Sequence, residues 1–216
     1  ITASHNPPTY NGYKLKSDLG GPSIPRDIDA VEILIPTENV MDELPSIAQM
    51  EKDGLLEYVN LEDMYMAAVE SKFDLKMIRD SGVICAYDAM YGAGQGAMKR
   101  LLPDATFLHC DENPGFKGRA PEPIHKNLLE FSDLIRNSGN VDIGIANDGD
   151  ADRIGAYDSK GNFVDSHHVI LLAIHYLHKI KGLDGKVVIA FSVTDRVKRL
   201  CEAYGLEVQV TKIGFK

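Results

Sequence analysis

The sequence predicts an α/β protein made of three-layer α/β/α domains whose mixed sheets are largely parallel. Two observations support this class. From residue 83 onward, short apolar runs of strand length alternate with helical segments of about ten residues or more. Gly139, Gly182 and Gly205 follow three of the helical segments and are expected to end them.

The elements are expected in a regular order along this part of the chain. The predicted strands cover residues 83–88, 105–110, 141–146, 154–157, 186–191 and 206–211. The predicted helices cover residues 97–102, 127–138, 166–181 and 194–204. Asn127 is expected to cap the second of these helices in a capping box with Glu130, and Ser166 to cap the third.

The first eighty residues are less regular. Apolar and charged side chains alternate in residues 13–16, as they do in a short strand, and residues 28–35 could form a short helix. Asn60 is expected to cap a helix that runs to about Ile78. The apolar side of this helix would be made of Leu61, Met64, Tyr65, Ala68 and Val69.

Composition excludes several classes of protein. The chain has 216 residues and a formal net charge of −9, from 23 Lys and Arg against 32 Asp and Glu. This acid excess argues against a broad surface for nucleic acid or anionic membranes, because both need a basic face. No stretch approaches the ~20 apolar residues of a transmembrane helix. Three widely spaced cysteines form neither a zinc motif nor a disulfide framework, so we expect a cytoplasmic protein.

Residues 147–153, Asn-Asp-Gly-Asp-Ala-Asp-Arg, are the most informative segment. In extended backbone alternate residues face the same side, so Asp148, Asp150 and Asp152 are expected to converge on one point. Three carboxylates at such short range repel one another unless a cation lies between them, and oxygen ligands favour Mg²⁺, Ca²⁺ or Mn²⁺. A solvated acidic turn is the alternative, because Asp and Gly are common in turns.

An EF-hand would share this spacing but has further requirements that the chain does not meet. With Asp148 at position 1, position 6 is Arg153 instead of glycine and position 12 is Ser159 instead of glutamate. An arginine beside three acids suits Mg²⁺ with a phosphorylated ligand better, because the guanidinium group can bind phosphate oxygens.

Ser4 lies in a polar turn near the start of the chain and is followed by His5, Asn6 and two prolines. It is not in a G-x-S-x-G elbow, and a histidine adjacent in sequence does not make a catalytic triad. The turn gains significance from the acidic segment, because a serine that carries a phosphoryl group needs a cation to neutralise it.

Together these motifs resemble the α-D-phosphohexomutases, the family of phosphoglucomutase and phosphomannomutase. The matching residues are Thr2-Ala3-Ser4-His5-Asn6-Pro7 with Asn11-Gly12-Tyr13-Lys14, and Asp148-Gly149-Asp150-Ala151-Asp152-Arg153. Weaker matches begin at Asp88, Arg119 and Thr211, and all of them occur in the family's order.

The resemblance implies a phosphoserine enzyme that moves a phosphoryl group reversibly between positions 1 and 6 of a hexose phosphate, through a bisphosphorylated sugar. Ser4 would carry the phosphate, and Lys14 would be the general acid or base. One Mg²⁺ would be held by Ser4 and the three aspartates of the acidic segment. Substrate contacts would come from His5, Asn6, Arg153, Lys212 and Lys216.

The resemblance also implies a division into domains. Residues 1–37 would be the last part of a first domain with the serine loop, 38–60 a connection, 61–182 a second domain with the metal loop, and 183–216 the start of a third. Because the family has four domains and this chain begins with Ile1, we expect a family member truncated at both ends and inactive by itself.

Two other functions share part of this pattern. A haloacid-dehalogenase-like sugar phosphatase also places D-x-D after an apolar strand and uses Mg²⁺, but it would be phosphorylated on Asp148 instead of Ser4. A Ca²⁺-dependent binding module would prefer Ca²⁺ to Mg²⁺ and carry no phosphate on Ser4. The motifs specify neither the preferred hexose nor an oligomeric state.

Overall fold

The computed structural model describes residues 2, 4–38 and 45–213, which divide into two compact units. Unit 1 consists of Ile1–Thr2 and Gly12–Ser81, and unit 2 consists of Ala3–Asn11 and Gly82–Lys216. None of the helices in the described residues has the length and apolar character that crossing a membrane requires.

The regular structure of unit 1 is helical. Its helices are α1 (Pro25–Glu32), α2 (Ile47–Lys52), α3 (Leu61–Lys72) and α4 (Leu75–Asp80). Asn60 caps α3 as predicted, by accepting a hydrogen bond from the Asp63 N–H. The predicted single helix as far as Ile78 is wrong, because Phe73 has extended backbone and the Asp74 side chain caps a second helix.

The residues that share the predicted apolar side of α3 are not its buried ones, and one other expectation for unit 1 is wrong. The buried residue of α3 is Met66, whereas Leu61, Met64 and Tyr65 of the predicted apolar side are exposed. Periodicity shows which residues share a helix face, but burial depends on what packs against that face. Residues 13–16 form no strand, and Lys16 makes only an isolated bridge with Pro22.

Unit 2 contains a five-stranded sheet with the order β2-β1-β3-β4-β5. Its strands are β1 (Cys85–Asp88), β2 (Thr106–Leu108), β3 (Ile143–Asn147), β4 (Ile154–Asp158) and β5 (Phe163–Val164). β1 pairs in parallel with β2 and β3, and the pairs β3–β4 and β4–β5 are antiparallel. A separate parallel pair is formed by β6 (Lys186–Ala190) and β7 (Glu207–Thr211). The predicted α/β class with mixed, largely parallel sheets is confirmed.

Helices cover both faces of the five-stranded sheet. α5 (Gly94–Leu101) connects β1 to β2, and α6 (Leu129–Ser138) connects β2 to β3. Tyr87 of β1 contacts the start of α5, whereas its neighbour Ala86 packs in a core cluster with Phe131 of α6. Because successive strand residues point to opposite faces, α5 and α6 lie on opposite sides of the sheet.

The helix starts differ from their predictions. α6 begins at Leu129 without a side-chain cap, and the predicted capping box is absent because the Asn127 amide donates to the Glu122 carbonyl instead. The start of α7 (Ser166–His175) is capped by Asp165 and not by Ser166, through a hydrogen bond from the His168 N–H.

The C-terminal part of unit 2 has its own hydrophobic cluster. A π-helical turn (Tyr176–Ile180) extends α7, and α8 (Arg196–Tyr204) precedes β7. Buried residues from α7, β6 and α8 form the cluster: Ile174, Ile189, Val197 and Cys201. Three of the helices are followed by the expected glycines with positive φ, namely Gly139, Gly182 and Gly205.

Phe131→Ala should destabilise unit 2 strongly. Phe131 is fully buried, and its ring packs edge-on against Tyr157 with the centroids 5.7 Å apart. Removing a buried phenylalanine side chain leaves a cavity and costs about 3–5 kcal/mol of unfolding free energy, which urea denaturation would measure. Leu129→Ala on the same helix is the control, because that side chain is 55% exposed. Equal losses in the two variants would contradict this assignment of the core.

Candidate active site and metal centre

Residues 148–153 form the loop of the β3–β4 hairpin, whose last paired residues are Asn147 and Ile154. Two hydrogen bonds close this acidic loop: the Arg153 N–H donates to the Asp148 carboxylate (2.9 Å), and the Asn147 side-chain amide donates to the Arg153 carbonyl (2.7 Å). The loop begins at the carboxyl end of β3, beside β1. The strand order reverses there, because the chain passes from β1 to β2 and then to β3 on the other side. Ligands of α/β sheets commonly bind at such reversals.

The three aspartates of the acidic loop lie together. Asp148, Asp150 and Asp152 each offer a carboxylate oxygen, and these oxygens lie within 4.8 Å of one another. The expectation that extended backbone would cause this convergence is wrong. Ala151 has a φ of 61°, and its N–H donates to the Asp148 carbonyl at 3.0 Å. A tight turn, and not strand alternation, brings the carboxylates to one place.

Asp148 is the buried member of the group. Its side chain is fully buried, and among the described residues its Oδ2 has no hydrogen-bond donor, since Arg153 Nε is 3.9 Å away. Burial raises the pKa of the Asp148 carboxyl, the hydrogen bond from the Arg153 N–H opposes this, and the charges of Asp150 and Asp152 raise the pKa further. An unsatisfied buried carboxylate oxygen beside two more carboxylates fits an oxygen-liganded divalent cation.

The serine turn packs directly against this group. Ser4 has a φ of 54°, and its Oγ donates to Asp150 Oδ1 at 3.4 Å. The Ser4 carbonyl oxygen also lies against Gly149, so close that no Cβ could fit at that position. The structure therefore brings together Ser4 and the three aspartates from distant parts of the sequence.

Two backbone hydrogen bonds hold the acidic loop in place, and the sequence did not predict them. The Gly149 N–H donates to the Pro121 carbonyl (3.2 Å), and the Ala93 N–H donates to the Gly149 carbonyl (3.0 Å). A Cβ at Gly92 would lie 2.7 Å from the Asp148 carbonyl, so that position also needs glycine. In the sequence, these contacts were indicated only weakly, by the family resemblance of the segments that begin at Asp88 and Arg119.

The other predicted site residues are distributed over the two units. His5 is partly buried beside Ser4, and Asn6 and Arg153 are exposed. Lys14 is exposed and belongs to unit 1, whereas Lys212 is exposed in the segment after β7 of unit 2. Lys216 lies outside the described residues. The substrate and proton-transfer roles of these residues stay predictions.

Two family descriptions match the chain. Residues 63–161 match "Phosphoglucomutase/phosphomannomutase, alpha/beta/alpha domain II", and residues 1–40 match the corresponding domain I. Together these matches cover more than half of the chain.

Similar proteins and structures extend the match to nearly the whole chain. A phosphoglucosamine mutase of Methanococcus vannielii is 31% identical over 99% of this chain and 48% of its own length. A phosphopentomutase of Thermococcus kodakarensis is 33% identical over 99% of this chain and 46% of its own length. A crystal structure described as a candidate phosphomannomutase from Thermus thermophilus is 32% identical, with a TM-score of 0.80 over 99% of this chain and 48% of that one.

The chain thus spans about half the length of the curated relatives it matches. The two domain matches lie on the segments that supply the serine turn and the acidic loop. The chain belongs to the α-D-phosphohexomutase family.

Proposed function

We propose that this chain supplies the phosphoserine and the Mg²⁺ site of a phosphosugar mutase. The observation that carries the proposal is the hydrogen bond between Ser4 Oγ and Asp150, inside the group of three carboxylates. A phosphoryl group on Ser4 would lie beside the cation that these carboxylates can hold, and phosphoryl transfer depends on such charge neutralisation.

We propose a hexose phosphate as the substrate. The Methanococcus vannielii relative is named for a hexosamine phosphate, and a relative from Thermococcus kodakarensis, 27% identical over 99% of this chain and 46% of its own length, is named phosphoglucomutase/phosphomannomutase. The relative named phosphopentomutase acts, by its name, on a pentose phosphate. Family membership therefore supports a sugar phosphate in general, and two of these three names favour a hexose.

In the proposed reaction the Ser4 O–P bond breaks as a P–O bond forms to a free sugar hydroxyl, giving a bisphosphorylated sugar. Lys14 takes the proton of the sugar hydroxyl and returns it to the departing Ser4 oxygen, so that Ser4 is released as a hydroxyl. The same steps in reverse, at the other phosphate, restore phosphoserine and release the isomer. Arg153, whose side chain is about half exposed next to Asp148, would bind a phosphate oxygen of the sugar.

Mg²⁺ bound by Asp148, Asp150, Asp152 and the Ser4 oxygen would supply positive charge for the phosphoryl oxygens. The chain's own contribution is to hold Ser4 and three carboxylates in one place, with one carboxylate deeply buried. The comparisons give no support to a haloacid-dehalogenase-like phosphatase, in which Asp148 would be phosphorylated.

Phosphoryl transfer to Ser4 is one half of the mutase reaction, so it tests the proposal directly even though we expect no complete mutase turnover from this chain by itself. The chain is incubated with a hexose 1,6-bisphosphate and Mg²⁺, and peptide mass spectrometry locates any phosphoryl group. We expect one phosphoryl group, on the peptide that contains Ser4. A phosphoryl group on Asp148 would favour the phosphatase. The proposed function would be contradicted if no phosphoryl group were transferred, or if transfer were equal in the absence of Mg²⁺.

Asp150→Asn should weaken Mg²⁺ binding by at least about tenfold, because it removes one of three negative ligands and the partner of Ser4. Isothermal titration calorimetry with Mg²⁺ and with Ca²⁺ measures the change. Asp104→Asn is the matched control, since Asp104 is exposed and lies outside the carboxylate group. An unchanged Mg²⁺ affinity would count against this metal site, and a strong preference for Ca²⁺ would favour a calcium-dependent module.

A further inference from the structure

A cavity of ≈ 300 Å³ lies in unit 2 at the carboxyl ends of β1 and β2. Its wall includes residues that follow these strands, Met90, Tyr91 and His109, and part of the loop between β2 and α6. Small-molecule sites span roughly 300–1,000 Å³, so the cavity is large enough for a small metabolite. Pro121 lies in the wall and also hydrogen bonds to Gly149, but none of the three aspartates lines the cavity.

Unusual backbone is concentrated around this cavity. Seven described residues other than glycine have positive φ, and five of them line it: Met90, Tyr91, His109, Phe116 and Lys117. The other two belong to the serine turn and the acidic loop. Strained backbone persists where the surroundings hold it in place, and it clusters at ligand sites. Asn113 holds the turn on the cavity's rim, by accepting hydrogen bonds from the Phe116 N–H (2.9 Å) and the Lys117 N–H (3.3 Å).

The two acidic side chains next to the cavity, Asp88 and Glu130, both contact His109. Both carboxylate oxygens of buried Asp88 lie 3.0 Å from His109 Nδ1, and Glu130 Oε2 lies 3.4 Å from His109 Nε2. The hydrogen bond to Asp88 raises the pKa of His109, and burial lowers it. The charges of Asp88 and Glu130 raise this pKa further, and the charge of Lys117 lowers it. His109 therefore offsets part of the negative charge of these two carboxylates.

Two cations, Lys117 and Arg119, also line the cavity. Lys117 Nζ is held 5.1 Å from the centroid of the Tyr91 ring. Arg119 is exposed and makes no ion pair with any residue that the structure describes. In a chain with a net charge of −9, two neighbouring cations that form no ion pair with a described residue are a local basic site, although the charges of Asp111 and Glu130 also act on Lys117. The rings of Tyr91 and Phe116 give the same cavity an aromatic wall.

We propose that this cavity binds a phosphate monoester, with the phosphate at Lys117 and Arg119 and the organic group against Tyr91 and Phe116. Arginine and lysine supply charge-assisted hydrogen bonds to phosphate oxygens, and flat nucleobases or the C–H face of a sugar ring pack on aromatic faces. A hexose phosphate and a nucleoside monophosphate both have this chemistry. The site is separate from the carboxylate group around Asp150 and does not depend on the proposed mutase reaction.

Calorimetry in EDTA tests the site, because chelation removes any contribution from a metal-dependent site. The probes are glucose 6-phosphate, adenosine 5′-monophosphate, inorganic phosphate and glucose. We expect at least one of the two monoesters to bind with millimolar or tighter affinity, inorganic phosphate to bind more weakly and glucose not to bind. The stronger monoester identifies the organic group. No binding of either monoester at millimolar concentration would overturn the proposal.

Variants then place the bound phosphate. Lys117→Gln with Arg119→Gln should weaken monoester binding by at least about tenfold. Lys160→Gln with Lys181→Gln removes the same charge from exposed positions elsewhere and should leave it unchanged. Equal losses in the two double variants would overturn the proposal, because the effect would then follow from net charge alone.

Two single variants complete the test. Phe116→Leu should weaken monoester binding and leave inorganic phosphate unaffected, since only the organic group meets the ring. Asp150→Asn should leave monoester binding in EDTA unchanged. A changed monoester affinity in Asp150→Asn, in either direction, would place the ligand at the acidic loop and overturn the separate site, whatever the outcome of phosphoryl transfer to Ser4. Circular dichroism checks that each variant is folded.

Discussion

Ser4→Ala should reduce phosphoryl transfer from a hexose 1,6-bisphosphate to this chain to an undetectable level. The Ser4 hydroxyl is the proposed acceptor, and it lies 3.4 Å from Asp150 within the carboxylate group. The serine lies on a turn and not in either hydrophobic core cluster, so the variant should fold normally. A time course of peptide mass spectra measures the transfer. In a longer polypeptide with the remaining family domains, the same change should abolish mutase turnover.

Ser138→Ala is the matched control for this variant, because Ser138 is a serine of α6 whose hydroxyl donates to a helix carbonyl. It should accept no phosphate and leave transfer to Ser4 unchanged. Mg²⁺ affinity of Ser4→Ala should stay within about tenfold of the original, since three carboxylates remain. Phosphoryl transfer that persists in Ser4→Ala would refute the phosphoserine assignment.

The sequence predicted the main elements of unit 2 because their signals are local. Short apolar runs predicted the strands, and glycines predicted the ends of helices. Helix starts were harder to predict, because a capping side chain can find a better partner elsewhere. Glu130 has the sequence position for a capping box, but it faces His109, which follows a strand of the sheet. Asn127 likewise bonds to the Glu122 carbonyl and leaves α6 uncapped.

For the candidate site, residue types were easier to predict than geometry. The acids of the acidic loop were identified by their spacing, yet the turn at Ala151 brings them together, and an alternating pattern cannot reveal such a turn. The cavity beside Tyr91 could not be predicted, because its wall is assembled from separate segments with no shared motif. The role of Gly149 could not be predicted either, because only the folded structure shows that the Ser4 carbonyl oxygen lies against it.

Gly149→Ala should slow phosphoryl transfer to Ser4 by about 10²-fold, because small displacements of reacting groups carry costs of that size. A Cβ at position 149 would overlap the Ser4 carbonyl oxygen and lie 3.0 Å from Pro121 Cγ. The acidic loop is fastened by hydrogen bonds to Pro121 and Ala93, so we expect the serine turn to move instead. Ser4 would then withdraw from Asp150, while the carboxylates keep their arrangement.

Two measurements on Gly149→Ala distinguish a movement of the serine turn from a movement of the acidic loop: the rate of phosphoryl transfer and the affinity for Mg²⁺. If the serine turn moves, the rate falls and the Mg²⁺ affinity is retained. Gly115→Ala is the control, because a Cβ there would meet nothing closer than Asn113 Oδ1 at 3.7 Å, and both quantities should be unchanged. If Mg²⁺ affinity falls together with the rate in Gly149→Ala, the acidic loop has moved, and glycine at this position serves the metal site instead of the approach of Ser4. An unchanged rate would show that phosphoryl transfer does not require the close contact between these two loops.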